Sequence, residues 1–501
     1  MAEKIHRGKI KAAPNPLVVK YVIEPGIRND IKYRYQAFLD CNKAHVLMLA
    51  KQGIIRNEVA RAILKCNAEM AAMGEAPTFK IEPDREDFYF NLEAYLIEQV
   101  GIEIGGQQHT ARSRNDLYAT CARLSVRDIY FDICHAYNRM RQTIIDVAQQ
   151  HKEAVFAGYT HMQPSEPITF AHYCSGILNA MDRDYRRLAH TFEGLNVCPL
   201  GGGSMGSTTW AIDRQYTSDL LGFDKPMDNS IDCVASRDFA TDILAALSIS
   251  ANTISRFCQD LYVWSTPEYG YIEVSDSCAV CSSIMPQKKN PWVLERIKAK
   301  TAHIEGFFIS SLNVMKNTIY SHSEEVCGEA LTYLFPALEE MKVICELLEI
   351  SVRGLTIKKE RMLEMAQGNF CTVTELANDL VRHDHISFRM AHDIVADVVA
   401  YMIDHNKKAN EIGINVVNPI FLNLFGRTTS MTNEEVHAAL DPVKIAFSKN
   451  CIGGTAPEEV TRQLTQAQIG LDLDEKELNH RKNTVKVAKD LLEQTLQTFI
   501  V

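Results

Sequence analysis

The chain has 501 residues, of which 46% are hydrophobic and 23% charged, and a formal net charge of −10. That is long enough for a large buried core and two or three domains, and too apolar for a disordered chain. The negative balance argues against binding to a phosphate backbone, and no run of about 18 apolar residues is present to cross a membrane.

Lys4, Arg7, Lys9 and Lys11 are not followed by an apolar stretch, so no secretory signal is read there. Residues 1–110 read as shorter helices with a loop-forming stretch at 73–85. Between Gly106 and Gly158 there is neither glycine nor proline. Apolar positions recur there at Leu117, Cys121, Leu124, Ile129, Ile133, Tyr137, Met140, Ile144 and Val147, a helical period. Val126, Tyr130 and Ile145 add apolar character on other faces, so the helix is expected to be buried on more than one side. A helix of about 40 residues is about 60 Å long, more than a compact domain is wide. Its surplus apolar surface therefore predicts packing against other subunits; the alternative is two helices broken near Asp128. A second gap without glycine or proline runs from Pro226 to Pro267. Residues 111–365 are read as a long-helix bundle. Residues 366–501 are read as a C-terminal helical domain, opening with a periodic stretch at 374–402 and closing with a polar helix from about Pro457. Strand-like alternation is sparse and no glycine-rich nucleotide loop follows a strand, so the fold class is all-α.

The fourteen cysteines are scattered singly. The one CxxC, Cys278 with Cys281, has no second pair at zinc-site spacing, which predicts free thiols in a reducing cytoplasm and no metal.

Four clusters could carry chemistry. Residues 281–291 read CSSIMPQKKNP, a loop offering hydroxyls, a cation and an amide ahead of a helix predicted from Trp292. Such groups suit a carboxylate or a developing enolate-like anion, although a Ser/Lys loop is also what a solvated turn looks like. Residues 105–116, GGQQHTARSRND, place Ser113, Arg114 and Asn115 where a long helix begins, a position that favours anions or merely caps the helix. Residues 158–164, GYTHMQP, put Thr160 and His161 in a polar turn, where a histidine can move protons. Residues 199–209, PLGGGSMGSTT, allow close backbone approach to a ligand or form a plain connection.

In this order and spacing the clusters resemble the argininosuccinate lyase branch of the fumarase/aspartase superfamily. The branch patterns are matched at 282–291, at 109–116 (HTxRSRND) and at 158–163 (GYTHxQ), with echoes at 237–239, 387–392 and 453–457. The resemblance implies three mainly helical domains, a 20-helix core in a homotetramer, and active sites each built from three subunits. It implies Ser282 as the base that removes a proton beside a carboxylate, with Lys288 and Asn290 stabilising the resulting dianion. Thr160, Ser113 and Asn115 then bind the fumarate half, Arg114 is a further substrate-binding residue, and Glu295 orients His161. A small-molecule substrate is implied, with no cofactor, because the substrate carboxylate itself delocalises the charge.

The more telling departures concern the other half of the substrate, as the resemblance divides it. Where the branch reads EDxHTxxE, residues 86–93 put Tyr89 at the histidine and Phe90 at the threonine. Where it reads YNxDLQEDK, the chain keeps Tyr320 but has Glu325 for the glutamine and Gly328 for the lysine. Cys281 and Trp292 also differ from the pattern. The expectation is a carbon–nitrogen lyase releasing fumarate from an N-substituted aspartate, with Tyr89, Tyr320 and Glu325 facing the departing amine. The alternatives are a non-catalytic protein of crystallin type, or a superfamily lyase acting on adenylosuccinate or eliminating water.

Overall fold

The computed structural model describes residues 12–74 and 76–501, so the basic run at Lys4 to Lys11 lies outside the described residues. An N-terminal unit contains α1 (Glu24–Lys51), α2 (Asn57–Ala72) and α3 (Phe88–Val100). The central bundle is α4 (Arg114–Gln150), α5 (Phe170–Leu195), α6 (Asp238–Trp264), α7 (Trp292–Met315) and α8 (Leu334–Arg353). Toward the C-terminus come α9 (Val373–Asp384), α10 (Phe388–Asp404) and α11 (Pro457–Ile500). The strands among the described residues are short and form only two-stranded ladders. The fold is all-α, as the sequence predicts.

The expected long helix is a single element. Ser113 caps α4, a capping box with Asp116 closes its first turn, and the 37 residues pass Asp128 without a break. No residue in the span removes a donor or loosens the backbone, so the helical ladder has nothing to interrupt it. Val126, Tyr130, Ile133, Tyr137, Met140 and Ile144 are all buried in the central core, so more than one face is covered. Full burial of each such side chain contributes about 1.5–3 kcal/mol. The periodic stretch at 374–402 is two helices: His385 ends α9 in the left-handed region (φ 55°), and Ser387 caps α10 by accepting the Met390 N–H at 3.3 Å. Apolar rhythm resumes across that turn, so periodicity alone does not reveal it.

The described residues hold three main apolar cores: one N-terminal, one in the bundle and one spanning residues 376–440. Helix α11 does not join that C-terminal core. Val460, Leu464, Leu471, Leu478 and Val485 pack into the bundle, and Leu492 and Leu496 reach the N-terminal core. Residues 366–501 therefore do not share one core, because the apolar seam of α11 matches the bundle.

The bundle helices run alternately up and down, which gives the bundle two ends. At the cap end, where α4 begins, Arg123 lies over Phe239 near the start of α6, with its guanidinium carbon 4.3 Å from the ring centre. At the hairpin end, Phe156 meets Trp264 at the end of α6, ring centres 5.3 Å apart. The ends are about 35–55 Å apart, the lengths of α7 and α4 at 1.5 Å per residue.

Candidate active site

At the cap end, Ser113 Oγ accepts the Asn115 N–H at 3.2 Å, and Asp116 Oδ1 accepts the Ser113 N–H at 3.1 Å. The Asn115 amide donates to the Ser204 carbonyl at 3.1 Å, which ties the glycine-rich loop to the start of α4. Arg114 Nη1 pairs with Asp87 at 2.6 Å and lies 3.7 Å from Glu86, above the Phe90 ring. The start of α4 thus combines hydroxyl, guanidinium and amide groups with helix N–H groups, a setting for a carboxylate.

Tyr89 requires a correction. It has no accessible surface, so it cannot touch a ligand in this arrangement. Its hydroxyl lies 2.8 Å from His109 Nδ1 and 3.2 Å from Glu93, and accepts an N–H of Arg112 at 3.2 Å. It supports the segment that carries Ser113 from beneath. Burial, together with Arg112 and Arg114, pushes His109 down to about 4.

Tyr320 and Glu325 are both exposed at this end, just after α7. The Tyr320 hydroxyl donates to Asp232 at 2.5 Å, which raises it to about 12. Its own backbone N–H and the Ser323 hydroxyl hold Glu325 below the usual carboxylate range. His322 is pushed down to about 4 by burial and by the Arg237 and Arg114 charges, which places this segment beside the start of α4. A Cβ at Gly328 would lie 2.2 Å from the Glu324 carboxylate, so Glu324 fills the space where a side chain at 328 would begin.

At the hairpin end, strands β1 (Val155–Thr160) and β2 (Gln163–Thr169) pair with Thr160 opposite Gln163. The two-residue turn between them is His161–Met162, with φ of 54° and 58°. Such a turn demands positive φ at both positions and normally takes Asn-Gly. Here it costs about 1–2 kcal/mol per residue and holds an exposed imidazole at a tip.

Strands β3 (Val280–Cys281) and β4 (Lys289–Asn290) pair with Cys281 opposite Lys289, so residues 282–288 form a closed loop. Lys289 anchors it to Glu273 at 3.1 Å and to Asp276 at 2.6 Å. Ser282 Oγ accepts the N–H of Met285 at 3.1 Å and of Ile284 at 3.4 Å. Lys288 is exposed and has no carboxylate within 4 Å among the described residues. Glu295, in the first turn of α7, accepts the Tyr262 hydroxyl at 3.3 Å.

Ser282, Lys288, Asn290, Glu295, Thr160 and His161 therefore share the hairpin end, while Ser113, Arg114, Asn115, Tyr320 and Glu325 share the cap end. Within one chain the two sets do not meet, and the expected Glu295–His161 pair is not made. Sequence reading passed over Asp116, although Ser113 followed three residues later by an acid is the pattern of a capping box. It also passed over His322, for which no local signal exists.

A family profile described as "Lyase" matches residues 29–306, and one described as "Argininosuccinate lyase C-terminal" matches residues 370–446. Argininosuccinate lyase 1 of Shouchella clausii is 44% identical over 484 residues, covering 97% of each chain. Argininosuccinate lyase of Methanocaldococcus jannaschii is 34% identical, covering 97% of this chain and 98% of its own. The crystal structure of EDDS lyase in complex with formate superposes with a TM-score of 0.86 at 29% identity, covering 98% of this chain and 97% of that one. Matched over nearly its whole length in sequence and fold, this chain belongs to the argininosuccinate lyase family and is a carbon–nitrogen lyase.

Proposed function

We propose that this lyase cleaves an N-substituted aspartate, argininosuccinate or a related aminocarboxylic acid, into fumarate and an amine, with Ser282 as the base. The observation that carries the reading is the surroundings of Ser282. A serine hydroxyl becomes a base near neutral pH only if its alkoxide is strongly stabilised. Two backbone N–H groups already point at Ser282 Oγ, and Lys288 ends the same loop without an ion-pair partner among the described residues.

Ser282 takes the proton from the carbon beside a carboxylate, and the C–H electron pair passes into that carboxylate as a dianion. Lys288 and Asn290 hold the added charge, while Thr160, Ser113, Arg114 and Asn115 hold the rest of the fumarate half. Collapse of the dianion forms the carbon–carbon double bond and breaks the carbon–nitrogen bond, and the departing nitrogen gains a proton. His161 is suited to proton movement by its place at an exposed tip.

A complete site needs both ends of the bundle, and one chain keeps them at least the length of α7, about 35 Å, apart. That separation supports a homotetramer with sites shared among subunits. Exposed Ile249 on α6, Ile309 and Leu312 on α7 and Ile350 on α8 give the long helices apolar surface to bury in it. All fourteen cysteines are unpaired, which fits a cytoplasmic protein. The acidic balance leaves nucleic acid outside the partners.

Incubation of the purified protein with fumarate and a panel of amines, read by mass spectrometry, is expected to yield an N-substituted aspartate from at least one amine. No adduct with any amine, together with no fumarate from argininosuccinate, overturns the reading in favour of a non-catalytic protein. Light scattering is expected to give a tetramer, and a monomer sinks the shared site.

A further inference from the structure

We infer that Asp116 is a positioning residue, which fixes the Asn115 amide for substrate by way of the loop Gly201–Ser207. The inference rests on the reading of Asn115 as a substrate-binding group.

Asn115 carries two N–H donors on one nitrogen, and an unrestrained amide can turn either its oxygen or its nitrogen toward a ligand. The bond from Asn115 Nδ2 to the Ser204 carbonyl removes that freedom. The nitrogen is fixed on the loop side, with a second N–H left for a carboxylate. The orientation of Asn115 is therefore only as good as the placement of the Ser204 carbonyl.

Asp116 sets that placement. Its side chain has no accessible surface, and Oδ2 accepts the N–H of Gly201 and of Gly203, each at 2.9 Å. The other oxygen holds the Ser113 N–H, so one carboxylate grips the helix cap and the loop together. Hydrogen bonds that N–H groups donate to a carboxylate are about twice as strong as neutral ones. The loop has little room to take another path. Gly201 and Gly203 have φ of 91° and 64°, and a Cβ at Gly203 would lie 2.6 Å from the Ser207 carbonyl oxygen. The Ser207 N–H and hydroxyl close the turn onto the carbonyls of Gly202 and Gly201, at 2.8 and 3.0 Å. Being buried, Asp116 never meets substrate and reaches the Asn115 amide by way of the loop.

The test is a double-mutant cycle on the assembled full-length protein, with fumarate affinity measured by calorimetry and folding by thermal melts. Asp116→Asn puts an N–H donor against N–H donors and displaces the loop. D116N and N115A are each expected to weaken fumarate binding about tenfold, near the worth of one hydrogen bond. The double mutant is expected to bind no more weakly than N115A alone, because the two residues lie on one route. Losses that multiply, or a folded D116N with wild-type affinity, overturn the inference and leave Asp116 a stabilising cap. Wild-type affinity in N115A alone brings down the reading of Asn115 and this inference with it. If D116N does not fold, Gly203→Ala shifts the same loop without touching the carboxylate. The same failure to multiply with N115A is expected, and multiplication there is equally fatal.

Discussion

The two ends of the bundle solve opposite problems. At the cap end the groups that would receive substrate are held from behind by buried neighbours. Asp116 has three backbone N–H groups on its carboxylate, and Tyr89 gathers Arg112, His109 and Glu93. At the hairpin end the proposed catalytic residues sit mainly on two exposed turns, and the shape of these comes mainly from backbone pairing. Recognition of a rigid dicarboxylate benefits from groups fixed in advance. A base proposed to work as an alkoxide needs water excluded, so exposed turns there call for a site that closes over them. On this comparison, loss of a hairpin-end group should cost chemistry and little stability, while loss of a cap-end group should cost stability as well.

The sharpest break of that comparison is Ser282→Ala. A general base contributes about 10²–10⁴-fold to rate, so turnover should fall by that factor with an unchanged melting temperature. Activity close to wild type would move the base elsewhere. Because the ends are supplied by different chains in the proposed assembly, co-expressed S282A and N115A subunits should recover part of the activity that each lacks alone. A mixture no more active than its components would mean that each site comes from one chain.

Much of the fold was legible in the sequence because its signals are local. The absence of glycine and proline from 107–157 and an unbroken apolar rhythm are enough to demand α4 and to imply that it outruns one domain. The positions of Ser282, Lys288 and His161 were legible too, since each sits in a run of loop residues with distinctive side chains. What was not legible is which groups share an end. Ser113 and Asn115 lie nearer in sequence to Thr160 than Tyr320 does, yet α4 carries Thr160 away and returns Tyr320 by way of α7. The burial of Tyr89 was equally hidden, because nothing local distinguishes a tyrosine beneath a site from one inside it. Only packing of α3 against the segment before α4 decides that.

A pH series tests the cap end at smaller cost. His109 is lowered to about 4 in the folded protein, against about 6.5 when unfolded. Above pH 6.5 it is neutral in both states and full stability is present. As pH falls from 6.5 toward 4 the unfolded chain takes the proton first, so stability is lost at up to about 1.4 kcal/mol per unit. His322 acts in the same direction. Asp30 and Asp116, both raised to about 6 chiefly by burial, act oppositely below pH 6 and offset part of the loss. His109→Gln isolates one contribution: the advantage of wild type over H109Q in denaturant titrations should shrink steadily between pH 6.5 and 4. Parallel curves would show that His109 titrates normally and that the cap end is wetter than its burial implies.

The smallest expected effect lies at the hairpin tip, where shape is bought with backbone strain. Met162 is 60% exposed and has a φ of 58°, so in a single chain its side chain gains little from burial to offset the turn. Met162→Gly removes about 1–2 kcal/mol of left-handed strain and adds about 0.5–1 kcal/mol of unfolded-state entropy. The balance is a stabilisation of roughly 0.5–1 kcal/mol, read as a rise in the denaturant midpoint with no change in slope. A loss of stability would carry the more informative message. It would mean that the Met162 side chain is buried by a neighbouring subunit, and that the hairpin end is bare only until the assembly closes over it.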